Sequence, residues 1–163
     1  MPLNCNPPIS KQQKALLTGE VFWSFSLSHY KKQGVQSAAL TLQDQYQGNV
    51  NLALLLLWLD SLNIQFPSLH IAHLEDSLIT TDDLLASYRP LRKQIKQTAD
   101  MSLYQQALQF ELQLEKQQQA DLIDTVLRIE LIQANQHGSL LQTYCCSLNA
   151  DSLYLSLQAK KGS

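Results

Sequence analysis

The chain has 163 residues, 45% of them hydrophobic, and a formal net charge of −2. That length and apolar content give one ordinary domain with a proper core and exclude a disordered chain. The near-neutral charge excludes binding to nucleic acid or an anionic membrane by field alone.

Composition points to helices. Leu makes up about a fifth of the chain, far above ordinary usage, while Val, a typical strand residue, occurs only at positions 21, 35, 50 and 126. Cys5, Cys145 and Cys146 are odd in number and two are adjacent, so no regular disulfide framework is expected. Reduced thiols and a cytoplasmic location follow. Met1 to Pro8 lacks a charged start followed by an apolar stretch, so no signal peptide is expected.

Residues 1–19 read as an irregular arm with a possible short helix, because Ser10 and Gln13 have capping-box spacing. A single helical domain is expected over residues 20–159. Its first helix, Val21 to Gln33, carries Trp23, Leu27 and Tyr30 on one face, widened by Phe22, Phe25 and Ser26. Gly34 follows as a left-handed cap. A second helix, Gln36 to Gln47, buries Ala38, Ala39, Leu42 and Tyr46.

After Gly48 comes the most apolar run of the chain, Leu52 to Leu59. A helix apolar all round has no solvent face and belongs inside. Capped by Asn49 or Asn51, a helix over residues 50–62 is about 20 Å long, too short for a bilayer core of roughly 30 Å. It is read as the buried centre of an all-α bundle of about six to eight helices.

Asn63 to Phe66 reads as a connector, with Pro67 opening a helix that places Leu74 and Leu78 on one side. Thr80 to Asp83 signals another helix start, with Leu84, Tyr88, Leu91 and Ile95 buried and a kink or break near Ser87, ahead of Pro90. From Ser102, with capping-box spacing to Gln105, runs a stripe of Leu103, Ala107, Phe110 and Leu114. Leu122, Val126, Ile129 and Ile132 continue it, either on one long helix or after a bend at Gln117–Gln119. Leu141, Tyr144, Cys145 and Leu148 predict one more helix, and Leu153 to Leu157 is read as helix although it alternates like a strand. All five glycines fall at element boundaries.

No catalytic triad, Gly-x-Ser-x-Gly or glycine-rich phosphate loop is present. His70 and His73, one helical turn apart, are a weak metal pair with Glu111 or Glu115 as a third ligand. Arg89, Arg92, Lys93 and Lys96 form a basic stripe suited to phosphate or an acidic protein surface, with a solvated helix face as the plainer reading. Gln43, Asp44, Asn49 and Asn51 gather at the start of the central helix. They read either as caps and corner pins or as a polar pocket beneath Trp23 and Trp58.

Phe22-Trp23-Ser24-Phe25-Ser26-Leu27, Tyr30, Gly34-Val35, Leu42-Gln43-Asp44, Gly48 and Asn49 to Leu59 together resemble a small proteobacterial family catalogued only as a domain of unknown function. Residues 22–59 carry the likeness most strongly. Arg89 to Arg92 and Glu111 to Glu115 add less specific pieces, and the residues before Phe22 depart from the pattern. The resemblance implies an all-helical cytoplasmic protein. As a partner it implies a soluble duplicated ABC-type ATPase that acts on ribosomes, and it implies no reaction.

The leading expectation is therefore a non-enzymatic helical adaptor, without cofactor, that binds another protein through exposed helix faces. The second is a helical enzyme or small-ligand binder with a pocket lined by Trp23, Tyr30, Asn51 and Trp58.

Overall fold

The computed structural model describes residues 6–135 and 138–159. Cys5 and Gly162 lie outside the described residues. Among these residues are nine α-helices and one two-stranded ribbon, an all-α fold built around the apolar run. That central helix is α4, Val50–Ser61, started by the Asn49 side chain accepting from the Leu52 N–H at 2.9 Å. Every residue from Leu52 to Leu59 is buried. The helix is enclosed by α2 (Gly19–Tyr30), α3 (Val35–Tyr46), α7 (Met101–Val126) and α8 (Leu140–Ser147).

The corners are set by local chemistry. Gly34 adopts a left-handed conformation, φ +85°, which costs glycine nothing sterically. Gly48 is needed for a different reason. A Cβ there would lie 2.7 Å from Leu42 Cγ and 2.9 Å from Leu148 Cδ1, so the close approach of α3 to the end of α8 depends on the missing side chain.

The N-terminal arm carries α1, Lys11–Leu16, opened by the Ser10–Gln13 capping box. Gln13 Nε2 donates to the Leu62 carbonyl at 2.8 Å, which ties the arm to the end of α4. The expected connector 63–66 contains strand β1, Ile64–Gln65, which pairs antiparallel with β2, Ile132–Gln133. The apolar stripe through Ile129 and Ile132 is therefore not helical. α7 ends at Val126, and Ile132 pairs in the ribbon instead. A two-residue strand leaves no periodicity to read.

α5 (Ile71–Ser77) buries Leu74, and Leu78 is buried just beyond it. α6 (Ile79–Lys96) starts before the expected Thr80–Asp83 signal and runs unbroken through Pro90. The carbonyl freed by Pro90 is that of exposed Ala86, which water can satisfy. α7 likewise runs unbroken through Gln117–Gln119, and its cap is Asp100, accepting from the Leu103 N–H, rather than Ser102.

The buried faces of these helices differ from the expected stripes. α6 buries Thr81 and Leu85, while Leu84 and Leu91 are exposed. In the first half of α7 only Ala107 is buried, and Leu103 and Phe110 are exposed. α6 packs mainly on α7, as a hairpin, and where the two pair alone no third layer buries a stripe. In α2 the core face is Phe22, Ser26 and His29, and the expected Trp23–Leu27–Tyr30 stripe lies about 100° to one side, with Tyr30 still packed against the edge of the core.

The short last helix, α9 (Tyr154–Gln158), confirms the helical reading of the alternating segment. It is held by His29, whose Nε2 lies 2.6 Å from the Leu157 carbonyl. Burial lowers the His29 pKa below its ordinary 6.5, against the pull of that hydrogen bond. A base depressed in the folded state contributes stability above its unfolded value and loses it as pH falls through the folded one. From about pH 7.5 to pH 5 His29 should therefore lower the thermal midpoint, against the raised carboxyls of Asp60, Glu75 and Glu115, which act in the opposite sense; His29→Phe should lose less over this range than the unaltered chain, and an identical pH dependence would remove His29 as a source.

Candidate functional site

The outward face of α2 walls a cleft of about 740 Å³. α7 forms its floor, α6 the opposite wall, and the start of α4 with the end of α3 closes one end. Polar residues at core-facing positions of α7 create this space. Glu111, Glu115, Gln118 and Gln119 recur at helical spacing where an apolar helix would continue its stripe.

The amides are tightly interlocked. Asn51 Nδ2 donates to Gln118 Oε1 at 2.9 Å. Gln118 Nε2 donates to Asp82 Oδ1 at 2.6 Å, and Asn49 Nδ2 donates to the same oxygen at 2.8 Å. Gln119 Nε2 donates to Asn51 Oδ1 at 3.0 Å and to Ser26 Oγ at 2.9 Å. The Ser26 hydroxyl is itself directed at the Phe22 carbonyl. Asn49 is fixed further by its N–H, which donates to the Tyr144 hydroxyl at 2.9 Å. Burial pushes that phenol up to about 12, so it stays protonated.

One atom of the network is left over. Gln119 is 2% exposed, and its Oε1 has no hydrogen-bond partner among the described residues. A buried acceptor without a partner costs about 1–3 kcal/mol, which a donor on a water or a ligand at the cleft would offset.

The other end of the cleft is ionic. Arg89 lies 3.5 Å from Glu111 and 3.8 Å from Glu115, and Arg92 pairs with Glu111. Burial raises the Glu115 pKa, and the Glu111 charge raises it further. The same burial, aided by Glu115, raises the pKa of Tyr30 on the facing helix.

The basic stripe therefore divides. Arg89, Arg92 and Lys93 line the cleft, and the two arginines are engaged by carboxylates of α7. Lys96 lies away from it, with Nζ 5.9 Å from the Tyr104 ring centre. Because Arg92 and Glu111 are each less than a quarter exposed, Arg92→Glu should cost about 2 kcal/mol by placing a third carboxylate there. Urea unfolding checks this, and an unchanged midpoint would make the pair a surface contact.

Of the expected pocket residues, Trp23, Tyr30, Gln43, Asp44 and Asn51 line the cleft. Trp58 does not. It is buried beneath the cleft, its ring stacked on Phe22 at 5.2 Å and 7°. Trp23 instead carries Lys116 Nζ 5.1 Å from its ring centre. Asp82, Gln118 and Gln119 were not expected here. Asp82 resembled a helix-start carboxylate and the glutamines a bend, and only their phase relative to Leu122 and Val126 marks them as inward.

His70 and His73 lie apart from the cleft, before and within α5, with their Nδ1 atoms 3.1 Å apart. Glu111 and Glu115, the suggested third ligands, face the arginines of α6. Among the described residues no group of three His, Cys, Asp or Glu side chains is placed to hold a metal ion. Cys145 is buried and its thiol is pushed up to about 11 by burial, while Cys146 is exposed. Neither thiol has the depressed pKa of a reactive cysteine.

Among the described residues no helix is long and apolar enough to cross a membrane. No curated protein and no solved structure matches the chain. A family model described as protein of unknown function (DUF2390) matches residues 21–122, a span that begins at the cleft wall of α2 and ends just past Gln119 on its floor. The chain belongs to that family.

Proposed function

We propose that the protein binds a small polar ligand, or the polar end of a larger one, in the cleft between α2 and α6, and that it does so without catalysing a reaction. The unpartnered Gln119 Oε1, held by a network that fixes its amide plane, carries this reading. The cleft is lined mostly by polar and charged side chains, with Trp23, Leu27, Leu40, Val50, Leu54 and Leu112 among them, which suits a polar ligand. The non-enzymatic part rests on the lack of an activated nucleophile or a poised acid–base pair among the groups described, since the arginines and carboxylates neutralise one another. Native mass spectrometry of the protein purified gently from its own cell tests the reading. A bound small molecule retained by the unaltered chain and lost in Asn51→Ala is expected, and identical bare masses for both would oppose it.

A second reading, a cytoplasmic adaptor for another protein such as an ABC-type ATPase, is favoured by the α6–α7 hairpin. Leu84, Leu91, Leu103 and Phe110 are exposed there, beside Lys93 and Lys96 on the C-terminal half of α6. Apolar side chains rimmed by charge suit a protein interface. A pull-down in which Lys93→Glu with Lys96→Glu captures less of a partner, without a change in thermal midpoint, supports it. Equal capture removes the two lysines from that role.

A further inference from the structure

The amide end of the cleft leaves a buried acceptor unsatisfied. Here side-chain donors point inward, Asn49 and Gln118 on Asp82, Asn51 on Gln118, and Gln119 on Asn51 and Ser26, which leaves one N–H each on Asn51 and Gln118. Among the described residues the buried atom of this network left without a partner is an acceptor. Gln119 Oε1 has no partner, and the Asp82 bonds fall on one carboxylate oxygen, Oδ1. A ligand that donates here would satisfy both oxygens.

Charge sharpens the choice among donors. Glu115 lies one turn before Gln119 on the same face of α7. Its contact with Arg89 is long, 3.8 Å, whereas Arg92 pairs more closely with Glu111. Glu115 is thus the least neutralised carboxylate on the floor of the cleft, and burial and Glu111 hold its pKa up. A positive group between Glu115 and Gln119 would satisfy a charge and a lone pair together, with bonds roughly twice as strong as a neutral donor makes. Trp23 and Tyr30 on α2 line the facing wall, and Trp23 already accepts one cation, Lys116, on its ring.

We infer that the cleft takes a cationic amine or guanidinium group, seated against Gln119 Oε1 and the Glu115 carboxylate. The inference rests on the ligand-binding reading and adds the class of ligand. Two sources share this chemistry: a free amine, and a lysine or arginine side chain of a peptide.

The experiment uses the full chain with both tryptophans replaced by 5-fluorotryptophan and follows the Trp23 fluorine resonance. The probes are agmatine and cadaverine for free amines, and capped tetrapeptides bearing one central lysine, arginine or norleucine. Saturable shifts with agmatine or cadaverine alone would assign a free amine. Saturable shifts with the lysine or arginine peptide but not the norleucine peptide would assign a side chain. Gln119→Leu should weaken the positive probe about tenfold or more, the effect of losing a hydrogen bond to a charged group. If that variant does not fold, Glu115→Gln makes the same comparison. No saturable shift with any cationic probe, an equal response to norleucine, or unchanged affinity in the folded variants would overturn the inference. A neutral or anionic molecule found on the natively purified protein would overturn the ligand class alone. The ligand-binding reading itself fails if the native protein carries nothing or if Trp23 is unmoved by the extract of the cell.

Discussion

Phe22→Ala is expected to lower the unfolding free energy by about 3–5 kcal/mol, while Trp23→Ala, at the next position, should cost about 1 kcal/mol or less. Phe22 is fully buried and stacks on Trp58, so truncation leaves a cavity against a rigid indole in the middle of the core. Trp23 is half-buried on the cleft wall, with Lys116 over its ring. Truncating it removes surface from a space that is already open. Two adjacent aromatic residues of similar hydrophobicity should thus differ severalfold, and urea unfolding of the two variants measures this. Equal costs would mean that α2 is rotated about its axis and that the cleft wall is core.

Leu56→Ala should cost about 2–5 kcal/mol. Leu56 is 0% exposed, on a helix whose neighbours on either side are buried too, so a cavity there has little room to collapse. The same substitution at Leu91, 51% exposed on the hairpin, should change stability by about 0.5 kcal/mol or less. A cost at Leu56 below about 1 kcal/mol would place α4 at the surface and contradict the architecture.

The contrast between Leu56 and Leu91 shows what the amino-acid sequence conveys and where it falls short. A run apolar on every side, such as Leu52–Leu59, permits one reading, because no rotation exposes a polar face. The helix boundaries at Ser10, Gly34, Gly48 and Asn49 are equally legible, since cap chemistry acts within a few residues. An amphipathic stripe identifies a face but not what covers it. On α6 and α7 the stripe through Leu84, Leu91, Leu103 and Phe110 lies where no further layer packs. On α2, Trp23, Leu27 and Tyr30 match a core stripe in period but line a cleft, because Phe22, Phe25 and Ser26 offer an alternative face about 100° away. The choice is made by α4 and α7, which are far off in the chain.

The cleft itself was half legible. Gln43, Asp44, Asn49 and Asn51 are visibly out of place beside a Leu-rich helix, and Asn49 both caps α4 and enters the polar network, so the two readings of that cluster coexist. Its partners Asp82, Gln118 and Gln119 come from 33 to 69 residues away, a separation that no local pattern spans. The indole of Trp58 suggests it for the pocket, yet it stacks on Phe22 in the core instead.

The central claim is that the Trp23 face of α2 borders a ligand cleft while Trp58 lies sealed beneath it. Fluorine NMR of the 5-fluorotryptophan-labelled chain, titrated with the low-molecular-weight extract of its own cell, tests both halves at once. The prediction is a saturable shift of the Trp23 resonance that Asn51→Ala abolishes, with the Trp58 resonance fixed; an unmoved Trp23 resonance, or a shift confined to Trp58, would contradict it.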